Sequence, residues 1–137
     1  MNNKYILITS LAILLISCNY DIVESNFKDH NEMIKENYFE KGWIPKQLEN
    51  TKMTNIFVRN DLDINTCIFS YSLPLEEINK LERNQLKIEN NSRTEILIND
   101  STNFEKEIRN LPKYNSTRFE HGIAIDKNNN KIYGWIN

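Results

Sequence analysis

The chain has 137 residues, with 17 lysines and arginines against 19 aspartates and glutamates, and a formal net charge of −2 at pH 7. A mildly acidic chain of this length, without a basic block, has room for one domain with a modest core and argues against nucleic acid as a partner. Because it has only 2 cysteines and 2 histidines, it also offers few ligands for a transition metal.

The chain begins with an apolar segment behind a single positive charge. Lys4 precedes an almost unbroken apolar run from Tyr5 to Ile16, which is the layout of a secretory signal. The run is shorter than the roughly 20 residues that a helix needs to cross a bilayer. We therefore predict that residues 1–17 are a cleaved signal segment.

The signal segment ends at a cysteine. Leu15-Ile16-Ser17-Cys18 resembles the lipobox of bacterial lipoproteins. The resemblance implies that Cys18 carries a covalent lipid, with no catalytic role and no other cofactor, and that the domain lies in the bacterial cell envelope, outside the cytoplasm and attached to a membrane. Two or three acyl chains make such attachment effectively permanent. The alternative is a soluble secreted protein with an ordinary cleaved signal.

The mature chain opens on polar residues. We interpret residues 18–28 as a tether and residues 29–137 as a single small α+β domain. Asp29 and Glu32 form a capping-box pattern, which predicts the start of a helix. Gly42 stands where a left-handed residue would end that helix.

The next elements are a corner and a hairpin. Pro45 restricts the residue before it to extended backbone, so we expect an ordered corner with Trp43 turned inward. The runs TNIFVR and TCIFSYSL are rich in β-branched and aromatic residues and are separated by NDLDIN. They predict a β-hairpin.

Four further elements complete the chain. In order, they are a helix over Leu75–Leu86, a short strand in TEILI, a helix that begins at Thr102 with Glu105 and ends before Pro112, and a hairpin of STRFEHGIAID and KIYGWIN joined by DKNNNK. Because most strands connect through hairpins, we predict an α+β fold with a mainly antiparallel sheet and helices on one face. The expected order is α-β-β-α-β-α-β-β.

The histidines and acidic turns do not predict a metal site. His30 and His121 lack any paired ligand spacing, and His121 falls in line with core positions, where we expect a hydrogen-bonded histidine. The acidic runs at Asp61 and Asp126 begin like calcium loops but lack the glycine and glutamate that such loops require. We interpret both runs as turns.

No catalytic residue is predicted either. Once Cys18 is acylated, Cys67 is the only free thiol, and its apolar neighbours favour a small buried hydrophobe over a reactive group. A dyad of Cys67 with His121 has no support from spacing. A small hydrolase or thiol enzyme is the least favoured function.

A wider resemblance covers most of the mature chain. The pattern comprises a Gly-Trp-Leu/Ile-Pro motif, an Asn-Ile strand, a Leu-Asp-x-Asn turn, an aromatic strand and a final Tyr-x-Trp strand. It is carried here by Gly42, Trp43, Pro45, Asn55, Ile56, Leu62, Asp63, Asn65, Phe69, Tyr133 and Trp135. It resembles a group of small, mostly uncharacterised bacterial proteins. The spacer departs from that group at Glu49, where the group commonly has proline.

The resemblance implies a lipoprotein and, since some members lie near secreted-toxin loci, an immunity protein as one option. The same residues also have a structural interpretation, with both tryptophans as core anchors and Asp63 and Asn65 as turn formers. We predict a membrane-anchored envelope lipoprotein that acts as a protein-binding or accessory module. The alternative is an immunity lipoprotein that neutralises a toxin. The sequence identifies no binding residues and no oligomeric state.

Overall fold

The computed structural model describes residues 22–63, 65–83, 86–87, 104–115 and 122–136. The strands are β1 (Ile22–Asp29), β2 (Thr54–Asp61), β3 (Thr66–Ser72), β4 (Leu86–Lys87), β5 (Lys113–Asn115), β6 (Gly122–Asp126) and β7 (Lys131–Ile136). The helices are α1 (His30–Lys35), α2 (Leu75–Arg83) and α3 (Phe104–Ile108), with a 3-10 helix at Lys46–Asn50.

The seven strands of the described residues form one sheet in the order β1-β2-β3-β7-β6-β5-β4. Every neighbouring pair is antiparallel. The predicted α+β class with an antiparallel sheet is confirmed. In the part of the chain that is described, no helix is both long and apolar enough to cross a membrane.

The sheet is covered on both faces. On β3, Phe69 and Tyr71 point to what we call the first face, and Ile68 points to the second face, because successive strand residues alternate. Helices α1 and α2 pack on the first face, as expected, through Met33 and Ile78. Helix α3 instead packs on the second face, because its apolar residues Phe104 and Ile108 cover the side chains that point there, among them Tyr133 and Trp135.

Strand β1 corrects the predicted tether. Its register with β2 runs from Ile22 opposite Asp61 to Asp29 opposite Thr54, and Phe27 is buried in the first-face core. The prediction of a tether over 18–28 is therefore wrong for residues 22–28. The segment looks like a leader because Phe27 is its only buried residue, and strand preference depends on the partner strand more than on composition.

Helix α1 begins as predicted and ends earlier than predicted. The Asp29 side chain accepts hydrogen bonds from the amides of the second and third helical residues. The helix ends at Lys35 because Asn37 takes the left-handed conformation, with φ of 53°. The Tyr38 amide then donates to the Met33 carbonyl at 3.1 Å, and the Asn37 amide donates to the Ile34 carbonyl at 2.9 Å. This is the Schellman pattern. Gly42, with φ of 72°, lies in the following turn.

Asparagines supply the left-handed backbone of this fold. Among the described residues, the non-glycine positions with positive φ are Asn37, Asn55, Asn65 and Asn130. Asparagine tolerates this region better than other non-glycine residues. Asn55 lies where the pairing of β1 with β2 and of β2 with β3 is irregular. The other three lie in turns or at a helix end, where the chain needs a residue that accepts left-handed backbone.

Both acidic runs are turns, as predicted. Asp61 accepts a hydrogen bond from the Asp63 amide at 3.2 Å in the β2–β3 turn. Asp126 accepts from the Asn128 and Asn129 amides at 3.1 and 3.2 Å in the β6–β7 turn. Carboxylates that hold turns in this way are the ordinary use of aspartate at these positions.

Two glycines lie directly under aromatic rings. A Cβ atom at Gly134 would lie 2.2 Å from the Phe69 ring, and one at Gly122 would lie 2.2 Å from the Trp135 ring. Each ring lies across its glycine in the sheet register. Trp135 is 2 % exposed and anchors the second-face core, as predicted, whereas Trp43 is only partly buried against the first-face core.

The remaining predictions have mixed outcomes. Helix α2 ends at Arg83, and the chain returns to the sheet at β4, so the predicted helix end at Leu86 is wrong. The C-terminal hairpin is confirmed by the pairing of β6 with β7. The strand predicted in TEILI and the helix cap predicted at Thr102 lie outside the described residues.

Candidate binding cleft on the second face

Among the described residues, the two side chains singled out for their chemistry, His30 and Cys67, lie at opposite ends of the sheet. Cys18 and His121 lie outside the described residues, so lipidation of Cys18 remains a prediction. His30 starts α1, and its ring packs 5.6 Å from the ring of Phe39. In the part of the chain that is described, no group of three or more metal-ligating side chains comes together.

Cys67 is a buried structural thiol. Its side chain is 5 % exposed, and its Sγ donates to the Trp43 carbonyl at 3.0 Å. Burial raises the pKa of the thiol to about 12. Because the thiolate is the nucleophilic form, the raised pKa disfavours reaction near neutral pH. The predicted burial of Cys67 is confirmed.

A polar cluster closes the first face beside Cys67. The Tyr38 hydroxyl donates to Ser25 Oγ at 3.1 Å and accepts from Asn60 Nδ2 at 3.3 Å. Burial raises the pKa of Tyr38, with its hydrogen bond to Ser25 acting in the opposite direction. These three side chains satisfy one another's hydrogen-bonding groups. The cluster therefore ties β1 and β2 to the segment after α1, which is a structural role.

The second face contains an open cleft. Its floor is one register row across four strands, formed by Asn26, Phe57, Ser70 and Tyr133. The cleft has a volume of about 370 Å³, and its walls are Glu24, Phe104, Glu107 and Lys131. Among the described residues, α3 covers the β7 side of this row through the contact of Phe104 with Tyr133, and Asn26 on the β1 side is exposed. The cleft therefore opens at the edge of the described sheet.

One wall holds an ion pair. Glu24 on β1 accepts a hydrogen bond from Nη1 of Arg59 on β2 at 2.5 Å, and the two residues are register partners. The Arg59 side chain is 8 % exposed, whereas that of Glu24 is 47 % exposed. Among the described residues, the buried Nε of Arg59 has no hydrogen-bond partner. Glu24 compensates the charge of the guanidinium, and a buried cation without such a partner is costly.

The opposite wall holds a second charged pair. Lys131 Nζ lies 3.8 Å from Glu107 and 4.6 Å from the centre of the Tyr133 ring. Burial raises the pKa of Tyr133, and its hydrogen bond to Glu107 raises it further. A protonated phenol beside a carboxylate is a donor at any physiological pH, so this wall is fixed by Tyr133, Glu107 and Lys131 together.

The cleft is suited to recognition. It combines aromatic rings, amide and hydroxyl groups and both signs of charge, and no histidine or cysteine is among its lining residues. Hydrogen bonding and ring contact are the interactions that these side chains can offer a ligand.

The sequence did not reveal this cleft. Glu24 and Asn26 fell in the segment interpreted as a tether, and Glu107 and Lys131 resemble ordinary surface charges. The one available signal was the alternation of residues 22–27, in which every second residue faces the core.

Comparisons with known proteins give one family match. Residues 21–72 match the family model described as the YbbD head domain. The matched part is less than half of the chain and runs from β1 to the end of β3, so it includes Glu24, Asn26, Phe57 and Ser70 of the cleft. No curated protein and no solved structure matches the chain. This protein is therefore similar to a YbbD head domain over residues 21–72, and that description names no activity.

Proposed function

We propose that this protein is a bacterial envelope lipoprotein, anchored through lipid on Cys18, whose domain binds another protein through the second-face cleft. The observation that carries the binding role is the cleft itself, which opens at β1 and is lined by three aromatic rings between two charged walls. The anchoring role is supported by the lipobox resemblance and by the absence of charge between Tyr5 and Ile16.

A protein partner fits the chemistry of the cleft. Aromatic side chains are enriched in protein interfaces, where a few of them carry most of the binding energy. Phe57, Phe104 and Tyr133 supply such rings, and the ion pairs at Glu24 and Glu107 lie at the rim. Because the partner would share the membrane surface with the anchored domain, tethering raises the effective concentration of the domain for it.

The binding role is tested by crosslinking on intact cells. Full-length protein is crosslinked and captured, and bound proteins are identified by mass spectrometry against an unrelated lipoprotein. The variant Asn26→Arg places a long charged side chain at the exposed end of the cleft floor, and Asn128→Arg in the β6–β7 turn is the matched control. We expect a partner that is enriched with wild type and Asn128→Arg and lost with Asn26→Arg. Equal capture by all three would remove the cleft from the proposal.

The identity of the partner separates the alternatives. A single toxin-like partner would make the protein an immunity lipoprotein, whereas envelope machinery would make it an accessory subunit. A small hydrolase or thiol enzyme would need a reactive Cys67, which labelling with a maleimide in the native and denatured states detects.

The anchor is tested separately. Cells are labelled with a palmitate analogue, and incorporation into the wild type is compared with incorporation into Cys18→Ala. We expect label only in the wild type. Equal incorporation would remove the lipoprotein assignment and leave the cleft proposal standing.

A further inference from the structure

We propose that one end of the sheet, the end at which β1 begins, lies against the lipid bilayer and touches it through Ile22 and Leu62. We call Ile22, Asp61 and Leu62 the anchor-side corner. The proposal rests on the lipidation of Cys18 stated above, and it assigns an orientation and a contact surface that lipidation alone does not supply.

The first step is the length of chain between the lipid and the sheet. With a tether over 18–28, the domain could lie roughly 38 Å from the bilayer, at most about 3.5 Å for each residue. Because β1 begins at Ile22, four residues remain, and they reach at most roughly 14 Å. The lipidated cysteine therefore holds the start of β1 close to the headgroups.

The second step is what lies beside the start of β1. Ile22 is the register partner of Asp61, the last residue of β2, and Leu62 follows at once in the turn to β3. Ile22 is 42 % exposed and Leu62 is 47 % exposed. The short link thus brings two large apolar side chains to the membrane, where contact with acyl chains removes them from water.

The third step concerns the neighbour of this corner. The hydrogen bond from Cys67 Sγ to the Trp43 carbonyl places Trp43 near the start of β3, at the same end of the sheet. Trp43 is partly exposed, and Lys41 Nζ lies 5.2 Å from the centre of its ring. Tryptophan is enriched at membrane interfaces, and lysine is one of the residues that anchor a protein there.

The probe surface is zwitterionic phosphatidylcholine. It tests the apolar contact of Ile22 and Leu62 without attraction or repulsion from a net surface charge.

This orientation leaves the cleft available. The floor row begins at Asn26, four residues along β1 from Ile22, which is roughly 13 Å of strand. The floor of the cleft then lies farther from the bilayer than Ile22, and the cleft opens sideways, toward a partner on the same membrane. The β6–β7 turn lies at the opposite end of the sheet, since Lys131 pairs with Ser72 at the end of β3.

The experiment uses lipidated full-length protein in phosphatidylcholine vesicles that contain a nitroxide-labelled phosphatidylcholine. An environment-sensitive fluorophore is attached at Leu62→Cys or, as matched control, at Asn128→Cys in the β6–β7 turn. Both positions are exposed. The buried Cys67 should not label, and the parent protein checks this.

Flotation with the vesicles is measured first and quenching second. We expect both proteins to float, with a blue-shifted, several-fold more strongly quenched fluorophore at position 62 than at position 128. Floating protein with equal quenching, or with stronger quenching at 128, would overturn the contact and leave the anchor intact. Protein that does not float would overturn the lipid anchor and this proposal together.

Discussion

The close approach of Phe69 to Gly134 gives a sharp test of the sheet register. The substitution Gly134→Ala adds one methyl group, which would meet Cζ, Cε2 and Cε1 of the Phe69 ring at 2.2, 2.3 and 2.9 Å. Ordinary contact at such a carbon begins at 3.4 Å, so the ring would have to move by more than about 1 Å. Phe69 is fully buried and stacks on Tyr71 at a centroid distance of 6.2 Å. Overpacking of this kind destabilises a protein by about 1 to 3 kcal/mol, and we expect the upper half of that range.

The free energy of unfolding is measured by urea denaturation with tryptophan fluorescence, on a Cys18→Ala chain that lacks residues 1–17. The steric account also predicts rescue. Phe69→Leu shortens the side chain over Gly134. The double variant should therefore lose less free energy of unfolding than the two single variants together, by about 1 kcal/mol or more.

Gly42→Ala is the matched control for this cycle. Gly42 has positive φ and nothing near its missing Cβ, so alanine there is disfavoured by backbone conformation alone, by about 1 to 2 kcal/mol. Phe69→Leu should not rescue Gly42→Ala. If the changes in free energy of unfolding from Gly134→Ala and Phe69→Leu were additive, the Phe69 ring would not lie over Gly134. That result would refute the register of β3 with β7.

Three further predictions concern local chemistry. Asn37→Ala should lower the free energy of unfolding by about 1 kcal/mol, because alanine disfavours the left-handed conformation that ends α1. Asn37→Gly should leave the free energy of unfolding nearly unchanged. Equal losses in the two variants would contradict the role of the left-handed conformation. The Cys67 thiol should resist maleimide in native protein at pH 8 and react fully in urea, since its pKa is raised to about 12 by burial; fast native labelling would refute its burial. Burial and the hydrogen bond to Glu82 raise the pKa of Tyr114 to about 12, so the folded state holds its proton where the unfolded chain has lost it. The contribution of Tyr114 to the free energy of unfolding is therefore constant below pH 10 and falls between about pH 10 and 12. Tyr114→Phe should reduce that fall. An unchanged pH profile of the free energy of unfolding would contradict the raised pKa of Tyr114.

Local hydrogen bonding explains what was predictable in this chain. The Asp29 cap, the start of α2 behind Pro74 and the turn at Asp126 each depend on a few neighbouring residues. Such interactions act in the unfolded chain as well as in the fold, so sequence spacing alone indicates them. The antiparallel hairpins follow in the same way, because short turns leave adjacent strands few other partners.

The sequence by itself therefore determined the fold class, the hairpins and the burial of Cys67, while the tertiary structure decided β1, the two-sided core and the cleft. Residues 22–29 become a strand only because β2 offers a partner, and that pairing brings Glu24 to Arg59, 35 positions away. The cleft likewise depends on α3 meeting four strands that are distant in the chain. The reason is physical: register and packing between remote segments set which side of a strand is buried, and no local pattern contains that information.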